Sequence, residues 1–144
     1  VTHALALLGM PRSQRADAGM AALSRVGLQA AWKQSARVLS GGEQQRLALA
    51  RAWAVAPDIL FLDEPCASLD PTATRQVEEI VLGIHDAGTK IVMTTHSLGQ
   101  ARRMGEDIVF IAGGRMIEHG AAASFFRSPI SPEAAAFIQG ELPW

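Results

Sequence analysis

The chain has 144 residues, of which 49% are hydrophobic, and a formal net charge of −1 at pH 7. That length suits one ordinary domain or two small subdomains, and the near-neutral charge gives no bulk electrostatic reason to expect DNA or an acidic membrane as a partner. A single cysteine, Cys66, excludes an internal disulfide and a zinc site built from several cysteines.

The first part of the chain, up to about residue 56, is predicted to be helical. A short apolar helix covers residues 4–8, and Ser13 is expected to cap a second helix that stops at Gly27. Residues 32–38 are predicted to be a connecting loop. We therefore expect a small helical unit to precede the first strand.

Ser40 begins the most clearly marked helix, which Pro57 ends. Ser40 and Glu43 have the spacing of a capping box, in which each side chain satisfies a backbone N–H group of the first turn. Gly41 and Gly42 leave their N–H groups uncovered at the positive end of the helix dipole, which is typical of a phosphate site. The alternative is an ordinary capped helix, which these four residues alone would favour.

The second part of the chain alternates strand and helix. Residues 59–62 form a continuous apolar run, as expected of a strand that is covered on both faces. Asp70 followed by Pro71 predicts the start of a helix, and residues 91–93 predict the next strand. This order predicts a parallel sheet with a right-handed crossover.

The remaining elements are predicted from shorter patterns. Gly113 and Gly114 fit a two-residue hairpin turn that joins a third strand to a returning one. The predicted segments are a helix over residues 97–104, strands at 108–111 and 116–117, a helix over 121–127, a final helix starting at Ser131 and a tail over 140–144.

Three polar side chains follow the predicted parallel strands, where ligands of such sheets usually bind. Asp63 and Glu64 come directly after the first strand and His96 follows the second. Asp63 is a candidate Mg²⁺ ligand, and Glu64 could orient a water that attacks a terminal phosphate. His96 could hydrogen-bond a phosphate oxygen. The alternatives are ordinary surface acids and a polar loop histidine.

A phosphate loop of the form G-x-x-x-x-G-K-[ST] does not occur in these residues. The two lysines, Lys33 and Lys90, do not follow a glycine. We therefore expect a nucleotide-handling chain without its own main phosphate cradle.

Together these motifs resemble the ATP-binding subunit of ABC transporters. Leu39-Ser40-Gly41-Gly42-Glu43 matches the signature of that family, and residues 59–63 match its Walker B strand. Glu64 matches the catalytic glutamate, Ser68-Leu69-Asp70 matches the D-loop, and His96 matches the switch histidine. The sequence Thr94-Thr95-His96-Ser97 is similar to that of bacterial importers of oxyanions such as tungstate, molybdate or phosphate.

The resemblance implies an α/β fold that is part of a P-loop NTPase. It implies a helical signature subdomain over residues 1–55 and the C-terminal part of the ATPase core over 56–144. It assigns Mg²⁺ binding to Asp63, catalysis to Glu64 and His96, and contacts with ATP to the remaining motif residues, which are Ser40, Gly41, Gly42, Glu43 and Asp70.

The resemblance also implies partners. These are a second ATP-binding subunit, paired head to tail, and transmembrane permease subunits, with no nucleic acid. The chain itself would lie peripherally at the cytoplasmic face of the inner membrane. Because the family's phosphate loop is missing, we expect a C-terminal fragment or truncated product that alone neither binds ATP tightly nor hydrolyses it. The strand over residues 59–62 would then lack a neighbour, and an unpaired apolar edge promotes aggregation.

Two other functions stay open from the sequence. One is the head of an ABC-type DNA-repair ATPase, although the sustained heptads of its coiled coils are not found here. The other is a non-catalytic partner that donates only Ser40, Gly41 and Gly42 to a complete subunit.

Overall fold

The structure, a computed structural model, describes residues 1–141, which form two compact units. The first unit is Val1–Thr94, and the second begins at Thr95. The last three residues of the predicted tail, 142–144, lie outside the described residues. The predicted subdomain boundary at residue 55 stays a prediction.

Helices dominate the start of the first unit, as predicted. They are α1 (Thr2–Leu7), α2 (Arg12–Arg25), two short 3₁₀ turns (Gln29–Ala31 and Ala36–Val38) and α3 (Gly41–Ala54). The prediction that Ser13 caps α2 is wrong. The helix begins two residues earlier than that cap implies, at Arg12, and Pro11 is its N-cap without a side-chain cap bond. Pro11 fixes the start because its φ of −57° already suits a helix and its carbonyl accepts the N–H of Gln14.

Apolar side chains from several helices form the core of this unit. Helix α4 (Pro71–Asp86) follows the predicted cap at Asp70 and contacts α3. Leu5, Leu49 and Ile84, from α1, α3 and α4, are at most 2% exposed. The core therefore fixes α3, which begins with the signature glycines, against α4.

Strands β1 (Ile59–Asp63) and β2 (Lys90–Thr94) pair in parallel around the α4 crossover, as predicted. Their burial alternates strictly, and Phe61 is 73% exposed. The prediction that β1 is covered on both faces is therefore wrong for the described residues. Helix α4 contacts β2, and the opposite face of the strand pair is left open.

The second unit is built around a hairpin. Its elements are α5 (Leu98–Met104), β3 (Asp107–Ala112), β4 (Arg115–Ala121), α6 (Ala122–Arg127) and α7 (Pro132–Gln139). Gly113 and Gly114, with φ of 55° and 72°, make the predicted turn, because both positions need the left-handed conformation that glycine tolerates. Within residues 1–141, β3 pairs with β4 in a separate antiparallel sheet and does not extend the parallel one.

Aromatic rings fill the core of the second unit. Phe110 on β3 contacts the rings of Phe125 and Phe137 at centroid distances of 5.9 and 5.1 Å. Ala134 on α7 is fully buried beside them. The hairpin is thus covered on one face by α6 and α7.

Candidate functional site

The capping box at the start of α3 forms as the sequence predicts. The backbone N–H and the hydroxyl of Ser40 both donate to Oε2 of Glu43, at 2.8 and 2.9 Å, and the N–H of Glu43 donates back to Ser40 Oγ at 3.3 Å. The backbone N–H of Ser40, followed by its hydroxyl, lowers the pKa of the Glu43 carboxyl. To donate to a phosphate, the Ser40 hydroxyl must therefore leave Glu43.

The two signature glycines lie where α3 approaches α4. A Cβ atom built on Gly42 would stand 2.9 Å from Cβ of Ala73, which is closer than real Cβ contacts come. One built on Gly41 would meet only Leu69 Cδ2, at 3.9 Å. Gly42 is therefore required for packing, whereas Gly41 has room for a side chain. By helix geometry, the first N–H groups of α3 have no acceptor within the helix and can face a ligand.

A tight turn places the D-loop residues beside this helix start. Ser68 adopts the left-handed conformation, with φ of 63°. Asp70 then caps α4, because its Oδ1 accepts the N–H groups of Thr72 and Ala73 at 2.8 and 3.0 Å. These bonds, that from Ala73 first, lower the pKa of the Asp70 carboxyl. Asp70 is thus an ionised cap at neutral pH.

Signature and D-loop residues together line one cavity of about 310 Å³. The structure thereby brings together two motifs that the sequence separates. We call this space the signature cavity; its lining residues are Ser40, Gly41, Gly42, Arg46, Ser68, Leu69, Asp70, Thr72, Ala73 and Gln76. Glu43 caps the same helix start but does not line the cavity.

Sequence reasoning missed three polar side chains of this cavity, one of which is Thr72, near the start of α4. The other two are Arg46 and Gln76. Each stands four residues after another lining residue on the same helix, Gly42 and Thr72, and that spacing could have indicated a shared face. Arg46 Nε is buried and has no hydrogen-bond partner within residues 1–141. A buried N–H group is costly when it is unpaired, so the packing of Arg46 leaves one unsatisfied donor among the described residues.

The two acids at the end of β1 are held by one residue of β2, Thr94. Its hydroxyl donates to the carboxylate of Asp63. The backbone N–H of Glu64 donates to the carbonyl and hydroxyl oxygens of Thr94, at 3.2 and 3.3 Å. Glu64 has a backbone φ of 45°. Residues other than glycine adopt this left-handed conformation rarely, and it costs them roughly 1–3 kcal/mol. The chain thus turns sharply at the second acid.

The donor set at this strand end suits Mg²⁺ only together with a nucleotide. Among residues 1–141, no group of three or more His, Cys, Asp or Glu side chains is placed to hold a metal ion. Asp63 is an exposed carboxylate, and Mg²⁺ commonly takes one or two carboxylates with phosphate oxygens and waters. Asp63 therefore has the chemistry of a carboxylate ligand in a magnesium–phosphate complex.

His96 lies in the second unit, just before α5, and its side chain is exposed. Its neighbour Ser97 caps α5 by accepting the N–H of Gln100 at 3.3 Å, and the N–H of Ser97 donates to Thr95 Oγ1 at 3.1 Å. The loop that carries His96 is therefore ordered by its own hydrogen bonds. The catalytic role of His96 stays a prediction, as do the roles of the other site residues.

Comparison with known proteins gives matches over most of the chain. Residues 7–67 match the family described as ABC transporter. The chain is 44% identical over 129 residues to phosphate import ATP-binding protein PstB 2 of Natronomonas pharaonis, covering 90% of this chain and 45% of that protein. It is also 44% identical over 132 residues to PstB of Mycobacterium intracellulare, covering 89% and 46%.

A third relative, PstB of Mycoplasmoides gallisepticum, is 41% identical over 109 residues, which are 76% of this chain and 33% of that protein. The chain thus spans at most about half the length of these curated relatives. Within residues 1–141, no helix is both long and apolar enough to cross a membrane. The matches confirm the resemblance that the motifs predicted: the chain belongs to the family of ABC transporter ATP-binding subunits.

Proposed function

We propose that this chain supplies the signature loop, the D-loop and the Walker B acids of an ATP-hydrolysing subunit that powers uptake of phosphate or a related oxyanion. The proposal rests on the signature cavity, because the start of α3, with Gly41 and Gly42, and the D-loop, with Asp70, line it together. The relatives described above are phosphate import ATP-binding proteins, which supports the choice of solute.

On the signature side, the chain binds the phosphates of an ATP molecule held by a second subunit. The N–H groups of Gly41 and Gly42 and the Ser40 hydroxyl donate to phosphate oxygens at the positive end of α3. The carboxylate of Glu43 releases that hydroxyl when the phosphate arrives. Asp70 keeps the D-loop against this helix start by capping α4.

On the hydrolytic side, the chain serves ATP held by a phosphate loop outside these residues. Glu64 orients and polarises the attacking water, and His96 hydrogen-bonds the terminal phosphate. Asp63 would hold Mg²⁺, which would neutralise phosphate charge when bound. Thr94 fixes both acids at the strand end through its hydroxyl and carbonyl oxygens.

The proposal includes partners and a place of action. Two such subunits pair head to tail, and the helical subdomain over residues 1–55 passes their motion to transmembrane permease subunits. The pair acts at the cytoplasmic face of the membrane as a peripheral component. The 144 residues by themselves neither bind ATP tightly nor hydrolyse it.

A completed subunit tests this function. The N-terminal half of the Natronomonas pharaonis relative, with its phosphate loop, is joined ahead of Val1, and ATP hydrolysis is compared with that of the 144-residue chain. We expect turnover only in the completed subunit. His96→Ala should lower it, whereas His119→Ala, at another exposed histidine, should not.

Three results would contradict the proposal. Hydrolysis by the 144 residues alone that is lost in Glu64→Gln would disprove their inactivity. If the completed subunit folds and binds ATP but does not hydrolyse it, Glu64 and His96 are not catalytic. That result would favour a partner that only donates its signature loop. Stimulation by DNA would favour the repair-type ATPase.

A further inference from the structure

The peptide bond between Leu39 and Ser40 is held on both of its edges by side chains of the helix that follows it. The side-chain amide of Gln44 donates from Nε2 to the carbonyl oxygen of Leu39 at 2.8 Å. On the other edge, the N–H of Ser40 donates to Oε2 of Glu43, also at 2.8 Å. The C=O and N–H groups of a trans peptide point in opposite directions, so the two bonds together fix the orientation of this peptide plane.

Leu39 is fixed at two points. Its side chain is buried, and its carbonyl oxygen is bonded to Gln44. The backbone N–H of Gln44 also donates to the carbonyl oxygen of Ser40, at 2.8 Å, as the first hydrogen bond of α3. Gln44 therefore contacts the backbone on both sides of the position at which the signature helix begins.

A phosphate at the start of α3 would act differently on the two side chains. The Glu43 carboxylate accepts the Ser40 hydroxyl at 2.9 Å, so a phosphate competes with it for that donor and also repels its negative charge. The Gln44 amide is uncharged, and its acceptor is a carbonyl oxygen, which cannot bind a phosphate oxygen. Gln44 is also not one of the described residues that line the signature cavity. Phosphate binding therefore leaves the bond from Gln44 to Leu39 in place.

We propose that Gln44 is a positioning residue of the signature loop. Through the Leu39 carbonyl, it holds the loop in the orientation in which the Ser40 hydroxyl and the first N–H groups of α3 meet a partner's phosphate. The proposal rests on the proposed function of the signature cavity. It adds the residue that keeps the loop in place after Glu43 has released the Ser40 hydroxyl. Gln44 acts on the phosphate through Ser40 and does not touch it.

The first test uses the completed subunit in a Glu64→Gln background and measures the dissociation constant of the ATP-bound dimer by sedimentation. Gln44→Leu keeps the approximate size of the side chain but removes its donor. It should raise the dissociation constant about 10-fold, because each head-to-tail pair contains two signature loops and loses both bonds. The affinity of the monomer for a fluorescent ATP analogue should stay the same. Gln14→Leu, the same exchange at an exposed position of α2, should leave both quantities unchanged.

A second variant separates the hydrogen bond from the polarity of the side chain. Gln44→Asn keeps the amide but is one methylene shorter, so it should weaken the dimer as Gln44→Leu does. Thermal unfolding followed by circular dichroism measures the stability of each variant. If Gln44 served only to stabilise α3, Gln44→Leu would lower the melting temperature and leave the dissociation constant unchanged. That result would overturn the proposal, and so would a Gln44→Asn dimer as strong as that of the unaltered chain.

The role of Gln44 and the proposed function can fail separately. If Ser40→Arg prevents ATP-driven pairing but Gln44→Leu has no effect, Gln44 does not position the loop and the signature assignment is kept. If Ser40→Arg pairs normally, the start of α3 does not face a partner's phosphate, and both proposals are overturned.

Discussion

Thr94 shows how a single side chain can organise a pair of acids. Its hydroxyl donates to Asp63 and also accepts the N–H of Glu64, so one oxygen links both residues to the neighbouring strand. The left-handed backbone at Glu64 redirects the chain immediately after the strand. Such strained positions persist where the surrounding bonds determine them, as the Thr94 bonds do here. The acids are therefore held by β2 as well as by their own strand.

This geometry leads to a prediction for Glu64 in the completed subunit. Glu64→Gln should retain ATP binding, because the amide keeps the size of the side chain, but should slow hydrolysis about 100-fold or more through loss of the group that orients the water. Steady-state turnover and the affinity for a fluorescent ATP analogue measure the two effects. Glu79→Gln, at an exposed glutamate of α4, is the matched control. Unchanged turnover in Glu64→Gln would show that Glu64 does not orient the attacking water.

Elements whose ends are set locally could be predicted from the sequence. Ser40, Asp70 and Ser131 each cap the helix that follows them, because the bonds of a cap join residues two or three positions apart. The hairpin at Gly113 and Gly114 is local in the same sense. Ser13 had the right residue type, but the preceding proline moved the helix start.

Features that depend on distant residues could not be predicted in this way. The exposure of Phe61 depends on what covers β1, and an apolar run alone does not reveal whether one or both faces are buried. The signature cavity depends on the approach of α3 to α4, which added Arg46 and Gln76 to the site. The sequence thus predicted the residue types at the candidate site, and the packing of the two helices determined which of them meet.

Glu118 joins two elements of the second unit, β4 and the start of α7. Its carboxylate accepts the N–H groups of Ile130 and Ser131 and the Ser131 hydroxyl, at distances from 2.8 to 3.1 Å. The bond from Ile130, followed by those from Ser131, lowers the pKa of Glu118 below its ordinary value of 4.5. Because the folded-state pKa is depressed, this stabilisation is complete above pH 4.5 and is lost as the pH falls through the lower, folded-state value.

We therefore expect Glu118→Gln to lower the melting temperature at pH 7. The effect should shrink as the pH falls below 4.5 toward the lower folded-state pKa, through which the wild-type carboxyl also becomes protonated. Thermal unfolding followed by circular dichroism from pH 7 to pH 3.5 measures the difference. Glu106→Gln, at an exposed glutamate of the same unit, should show no comparable pH dependence. An effect of Glu118→Gln that is equal at all pH values would contradict the ionic role.

At the scale of the whole molecule, the candidate residues divide into two groups that the proposed function assigns to different nucleotides. The signature cavity would receive phosphates from a partner, while Asp63 and Glu64 would act on ATP held by the subunit's own phosphate loop. If this assignment holds, a chain that spans about half of its relatives would still contain the whole surface that faces the partner's nucleotide. It also means that subunit pairing and ATP binding can be separated by mutation.

In the completed subunit, Ser40→Arg should prevent subunit pairing without preventing ATP binding. The larger side chain at the edge of a cavity of about 310 Å³ should obstruct a partner's phosphate, so that ATP-driven dimers no longer form, while each subunit still binds ATP through its own phosphate loop. Size-exclusion chromatography in a Glu64→Gln background, which lets ATP-bound dimers accumulate, measures the loss. Equilibrium binding of a fluorescent ATP analogue measures the affinity of the monomer.

Two controls distinguish obstruction from loss of the helix cap. Ser40→Ala removes the cap, at a cost of about 1 kcal/mol, but leaves the cavity open, so it should weaken dimers far less than Ser40→Arg. Ser24→Arg adds the same side chain at an exposed position of α2 and should not change pairing. If Ser40→Arg pairs normally with ATP, the start of α3 does not face a partner's nucleotide. If Ser40→Ala is as damaging as Ser40→Arg, Ser40 acts by ordering the helix start and not by leaving room for a phosphate.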